Sequence, residues 1–182
     1  MSRQTFVFKR LKESLIDKGC TINGFRHICE LIGLSSTHFT CPMNKNGPVI
    51  LIEDDADDQF LFEQVFRKLN YPNRVIYFPD GQEALDYLLS TTELPFLILS
   101  DINMPRLNGI ELREKLHRDA ALQLKCIPYL FFSTAASQEM VINAYSLSVQ
   151  GFFVKQTSLE ELEKSIYFIM EYWKRCAAPN NF

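Results

Sequence analysis

A doubly wound α/β domain over residues 48–175 is predicted by three features of the sequence. Short apolar runs alternate with segments of helical period from Pro48 onward, the pattern of parallel βαβ units. The run PFLILS (95–100) is almost wholly apolar, as suits a strand covered by helices on both faces. Breaker residues mark the junctions, at Asn70-Tyr71-Pro72-Asn73 and at Pro79-Asp80-Gly81.

Each element follows in order. VILIE (49–53) is the first strand. In the segment DADDQFLFEQVFRKLN after it, Phe60, Leu61, Val65 and Leu69 recur at three- and four-residue spacing and predict the stripe of a half-buried helix. RVIYF (74–78) reads as the second strand, and the next helix bears Ala84, Leu85, Leu88 and Leu89 on one side. PFLILS is the third strand. A helix around Ile110–Leu116, a strand IPYLFF (127–132), a helix near Gln138–Leu147, a short strand GFFVK (151–155) and a helix from about Ser158 to Trp173 complete the alternation. Five strands and five helices place a ligand site at the carboxyl ends of the strands, near the switch point in strand order.

The 182 residues, 47% hydrophobic and 23% charged, suffice for one domain with an appendage. The formal charge of −3 averages two unlike parts: residues 1–47 hold seven Lys/Arg against three Asp/Glu, and residues 48–182 hold twelve against nineteen. An acidic body disfavours direct nucleic-acid binding, which needs clustered Lys and Arg. With no apolar run of about 18 residues, no membrane insertion is expected. The amino terminus lacks the apolar core of a secretory signal, and five widely spread cysteines fit a reducing, cytoplasmic setting. Residues 1–47 read as an extension and 176–182 as a tail. The extension admits a helical docking element, a poorly ordered stretch before Met43, or a zinc site built from Cys20, His27, Cys29, His38 and Cys41, whose spacings match no usual zinc pattern.

The chemistry gathers at the strand ends. The first strand ends in Glu53-Asp54-Asp55 and the third in Asp101, so parallel neighbours bring several carboxylates to one edge. Mutual repulsion there favours a bound cation, and oxygen-only ligands suit Mg²⁺. An aspartate beside such an ion can attack a phosphoryl group. Ser133, just beyond the fourth strand, offers a hydroxyl, and Lys155, at the end of the fifth, offers a cation. Taken singly, each residue has a plainer reading: Asp54, Asp55 or Asp57 as a helix cap, Ser133 or Thr134 as a cap or turn residue, Lys155 as a solvated surface charge. Their joint placement at one edge favours function.

LILSDINMPRLNG (97–109) resembles the phosphoacceptor segment of bacterial response-regulator receiver domains, with Asp101, Met104-Pro105 and Gly109 at that family's spacing. VILIEDD (49–55) is similar to its first strand and acidic pair, IPYLFFSTAAS (127–137) to its fourth strand and switch hydroxyl, and GFFVK (151–155) to its fifth strand and lysine. The resemblance spans about 48–175 and implies the flavodoxin-like receiver fold. It implies Asp101 as phosphoacceptor and Glu53 and Asp54 as the acidic pair, with Asp54 the direct Mg²⁺ ligand and the Asn103 main-chain carbonyl a further one. Ser133 takes the hydroxyl position, with Thr134 as the alternate, Lys155 pairs with the phosphoryl oxygens, and Phe152 is the aromatic switch. The implied donor is a histidine kinase or phosphotransfer protein. The short carboxyl-terminal tail implies a stand-alone receiver that signals to a downstream protein, with a homodimer possible through the fourth helix, fifth strand and fifth helix.

Two residues depart from the family pattern. Gln156 stands where proline usually follows the lysine, often with a cis peptide; for a non-proline residue the cis form costs about 2.5–4 kcal/mol, so a trans bond with a reshaped loop or a strained cis bond is expected. Phe152 stands where Tyr is common and lacks the phenol oxygen. Gln156 is the one support for an alternative, a receiver-like binding module that is not phosphorylated. A phosphatase of the haloacid dehalogenase type would need a second aspartate two residues after the nucleophile, where this chain has Asn103. The expectation is therefore a switch protein and not an enzyme.

Overall fold

The structure, a computed structural model, describes residues 44–176 except Leu124, Ala135 and Thr157. The readings of residues 1–43, the zinc ligand set included, and of residues 177–182 lie outside the described residues.

Strands β1 (Val49–Ile52), β2 (Val75–Phe78), β3 (Leu97–Ser100), β4 (Tyr129–Ser133) and β5 (Gly151–Val154) pair in parallel in the order β2-β1-β3-β4-β5. Helices α1 (Ala56–Leu69), α2 (Gly81–Ser90), α3 (Gly109–Arg118), α4 (Gln138–Ser146) and α5 (Leu159–Arg175) alternate with them, and a single helical turn, Ala120–Gln123, follows α3. This is the flavodoxin-like order, with its switch point between β1 and β3. The predicted alternation of strands and helices is the one observed. Ser133 closes β4 instead of lying beyond it, and Lys155 lies one residue past β5.

Local chemistry sets the helix starts. The side chains of Asp55, Asp80, Asn108 and Ser137 accept from backbone N–H groups of the first turns of α1, α2, α3 and α4. Asn108 and Glu111 form a reciprocal capping box. Asn70, at φ 50°, closes α1 in the left-handed conformation that Asn tolerates.

The two faces of the sheet carry separate cores. Ile50, Ile52, Ile98, Tyr129 and Phe131 pack with residues of α2, α3 and α4, while Leu51, Leu97, Leu99, Leu130 and Phe132 pack under α1 and α5. This two-sided burial is why the strands read as continuous apolar runs. The α1 stripe differs from the prediction. Phe62, Val65 and Phe66 are buried with Leu69 packed beside them, whereas Phe60 and Leu61 are exposed. The set 62, 65, 66, 69 follows helical geometry more closely than 60, 61, 65, 69, because residues three and four apart share a face. In α2, Leu89 likewise points outward, and Gly81, Ala84, Leu85 and Leu88 form the inner face.

Three ties position the loops. Asn44 donates through Nδ2 to Leu94 O (3.2 Å), and Asn73 Nδ2 donates to the carbonyls of Lys45 and Gly47 (2.9 and 2.8 Å), so residues 44–47 are bonded to the domain. Gly109 is needed for close approach: a Cβ there would lie 2.1 Å from the carbonyl oxygen of Asp101. Arg113 of α3 donates to the carbonyls of Leu147 and Ser148 (3.0 and 2.9 Å) at the end of α4, with its guanidinium 5.5 Å from the Tyr129 ring centroid.

Candidate functional site

The strand ends converge as the topology requires. The Asp101 N–H donates to Ile52 O (2.9 Å), locking the ends of β1 and β3 side by side, and the Lys155 N–H donates to Ser133 O (2.8 Å), doing the same for β4 and β5. Glu53 and Asp101 are buried, Asp54 is exposed, and each can bring a carboxylate oxygen within 4.8 Å of the others. Asp55 is the helix cap among the acidic residues, accepting from the N–H groups of Asp57 and Asp58 at 2.8 and 3.3 Å.

Lys155 reaches into this cluster. Its Nζ lies 2.6 Å from Glu53 Oε2, 2.7 Å from Asp58 Oδ2 and 2.9 Å from Asp101 Oδ2. No peptide bond among the described residues is cis, so the Lys155–Gln156 bond is trans. The amine meets Asp101 without a prolyl turn. The other Asp101 oxygen, Oδ1, accepts from the N–H of Ile102 and more weakly from that of Asn103 (3.4 Å), which puts Asn103 in the same turn. Ser133 is fully buried at the end of β4 and its neighbour Thr134 is exposed. Phe152 is half-buried, its ring centroid 6.1 Å from that of Phe131.

Two contributors escaped the sequence reading. Asp58 follows the acidic pair in the first turn of α1, where acids are common because the helix dipole favours them; nothing in the sequence signals its contact with a lysine 97 positions away. Arg106, at φ 62°, bonds Asp80 through its Nε and a terminal nitrogen and reaches Glu83 at 2.7 Å. This clamp joins the loop after β3 to the start of α2, where the Gly81 N–H also donates to Leu107 O (3.1 Å). Burial pushes the Asp80 carboxyl up, but N–H donors from Glu83 and Gln82 and the Arg106 guanidinium outweigh it and hold it below its ordinary value.

Burial also acts on Glu53, whose carboxyl it pushes up to about 7 against the pull of Lys155. A carboxyl with a raised folded-state pKa stabilises the fold fully below its unfolded value of 4.5, and that contribution is lost as pH rises toward 7. In EDTA, the difference is expected to be about 3 kcal/mol between acid and neutral pH. Thermal melts across pH 4–8 check this, and Glu53→Gln should flatten the fall; an unchanged slope would assign it to other groups.

The donor set fits a hard divalent cation: oxygen ligands only, one of them on an exposed side chain, and three carboxylates sharing a single ammonium with Asp54 beside them. Residues 49–167 match the response regulator receiver domain family, and the chain belongs to it. The probable methanogenesis regulatory protein FilR2 of Methanothrix harundinacea is 30% identical over 129 residues, covering 69% of this chain and 82% of that protein. Response regulator Rcp1 of Synechocystis is 28% identical, covering 69% of this chain and 87% of Rcp1. Its Mn²⁺-bound structure superposes with a TM-score of 0.63, covering 72% of this chain and 99% of that one. The phosphorylated cyanobacterial phytochrome response regulator RcpA superposes with a TM-score of 0.66 at 28% identity, covering 72% and 97%. No helix among the described residues is long and apolar enough to cross a membrane.

Proposed function

We propose that this receiver accepts a phosphoryl group on Asp101 from a histidine kinase or phosphotransfer protein and signals through a change of surface shape. The observation that carries this reading is Lys155 Nζ at 2.9 Å from Asp101 Oδ2, inside a cluster that also holds the acidic pair. An Asp101 carboxylate oxygen attacks phosphorus, a new P–O bond forms, and the bond to the donor breaks with its electron pair leaving on the donor. Lys155 holds a proton and a positive charge where the phosphoryl oxygens accumulate. The Ile102 and Asn103 N–H groups fix the orientation of the attacking carboxylate. Glu53, Asp54, Asp101 and the Asn103 carbonyl would hold Mg²⁺, which when bound neutralises charge on the transferred group.

Phosphorylation adds about −1.5 to −2 charges at this edge. In the proposed response, Ser133 turns its hydroxyl toward the new oxygens, with Thr134 as the alternate, and Phe152 moves into the space released beside β4. The surface of α4, β5 and α5 then differs between the two states, and a downstream partner shifts their populations only by its differential affinity. These elements expose Ile142, Tyr145, Val154 and Phe168, which supports a homodimer across them. Sedimentation with and without beryllofluoride tests that dimer.

The direct test of the proposed function is incubation of the full chain with acetyl phosphate and Mg²⁺. One phosphoryl group per chain, seen as a Phos-tag shift that EDTA prevents, is the expected result; no shift under any donor would overturn the reading. Asp54→Asn should weaken Mg²⁺ binding by about tenfold or more, the scale of losing one charged ligand. Isothermal titration with Mg²⁺ measures it, and an unchanged affinity would remove Asp54 from the ligand set.

A further inference from the structure

We propose that Asp58 is the residue that aims Lys155 at Asp101 in this chain. The inference rests on the phosphoacceptor reading for its consequence, though not for its geometry. A lysine ammonium has three N–H donors, and all three have a carboxylate acceptor here: Glu53, Asp58 and Asp101. Glu53 and Asp101 are also members of the acidic cluster, and Asp101 is the group that would be modified. Asp58 alone among the three has neither duty.

Its own position is rigid. Asp58 sits in the first turn of α1, and its backbone N–H is bonded to the cap residue Asp55. Its short side chain therefore projects from a fixed backbone and puts an anion beside a flexible four-carbon stem. The stem needs such a fixture, because Lys155 is followed by an exposed Gln156 in a trans peptide, and no ring restricts the chain there. The plainer role, an acid favoured at a helix start, is already filled in the same turn by Asp57 and does not require contact with Lys155. Burial pushes the Lys155 ammonium down, yet hydrogen bonds to Asp58, Glu53 and Asp101 more than offset this and keep its pKa above the ordinary value.

When the oxygens of Glu53 and Asp101 are claimed by a cation or a phosphoryl group, Asp58 remains as the anchor. Asp58→Asn should then loosen the amine even in the unmodified protein, where Glu53 and Asp101 still accept from it. The test is acetylation of the full chain with an N-hydroxysuccinimide ester in EDTA, followed by mass spectrometry of the Lys155 peptide, with exposed Lys115 as internal reference. Lys155 in Asp58→Asn should react about tenfold faster than in the native chain, as expected for losing one charge-assisted hydrogen bond, while Asp58→Glu stays near the native rate. Uptake from acetyl phosphate should slow by about tenfold in Asp58→Asn and recover in Asp58→Glu. Unchanged Lys155 acetylation in Asp58→Asn would overturn the proposal. If the native chain takes no phosphoryl group, the phosphoacceptor reading fails and the acetylation rates still decide the role of Asp58.

Discussion

In Asp101→Asn, acetyl phosphate with Mg²⁺ should give no Phos-tag shift at all. The amide keeps the size of the carboxylate but loses its nucleophilic charge, so the attack on phosphorus has no electron pair of comparable reactivity to use. The neighbouring carboxylates are poor substitutes. Burial disfavours the charged form of Glu53, Asp55 is committed to the helix cap, and Asp54 is open to solvent without the two N–H donors that hold Asp101. Asn at 101 should still accept from Ile102 and Asn103 through its carbonyl oxygen, so circular dichroism and melting should show a folded protein. A persisting shift would move the acceptor to another residue, and peptide mapping after borohydride trapping would identify it.

Lys155→Ala should produce the largest loss of stability, about 3–5 kcal/mol at neutral pH without divalent ions. The lysine side chain is 9% exposed and its partners Glu53 and Asp101 are 2% and 8% exposed, so its removal leaves two buried carboxylates with no counter-charge. The cost should shrink toward pH 5, where the raised pKa of Glu53 lets it take up a proton. Added Mg²⁺ should recover part of the loss, because an ion selects the folded arrangement of the carboxylates. Urea titrations at pH 7.5 and pH 5 check both parts. A cost below about 1 kcal/mol at pH 7.5 would mean that water reaches the carboxylates and the ion pair behaves as a surface one.

Much of this arrangement was legible because parallel topology carries strand ends to a common edge. Once VILIE, PFLILS, IPYLFF and GFFVK were read as strands, Glu53, Asp101, Ser133 and Lys155 had to lie near one another, whatever the loop details. The helical faces were less legible. Phe60 and Leu61 are as apolar as Phe62 and Phe66, so hydrophobicity alone does not choose between them, and it is the three- and four-residue spacing to Val65 and Leu69 that puts Phe62 and Phe66 on the covered face. Leu89 belongs to the same class of error. The reach of Lys155 to Asp58 was hidden for another reason: it depends on the direction of a long side chain across the sheet edge, which no sequence spacing encodes. The contact of Lys155 with Asp101 despite Gln156 has the same origin. The aim of a lysine follows from what anchors its amine as well as from the bond after its Cα.

The bond between Arg113 and the end of α4 gives that helix a fulcrum. Its guanidinium holds the carbonyls of Leu147 and Ser148, while the opposite end begins at Ser137, four residues past the buried Ser133. In the proposed response, a displacement arising at the phosphoryl edge would enter α4 at its Ser137-capped end and die away toward the one that Arg113 pins. The helix would then act as a lever of about two and a half turns. Its sweep would be greatest at the turn beginning at Gln138 and least near Ser146, so a partner that reads the swing would have most to gain by gripping the amino-terminal half.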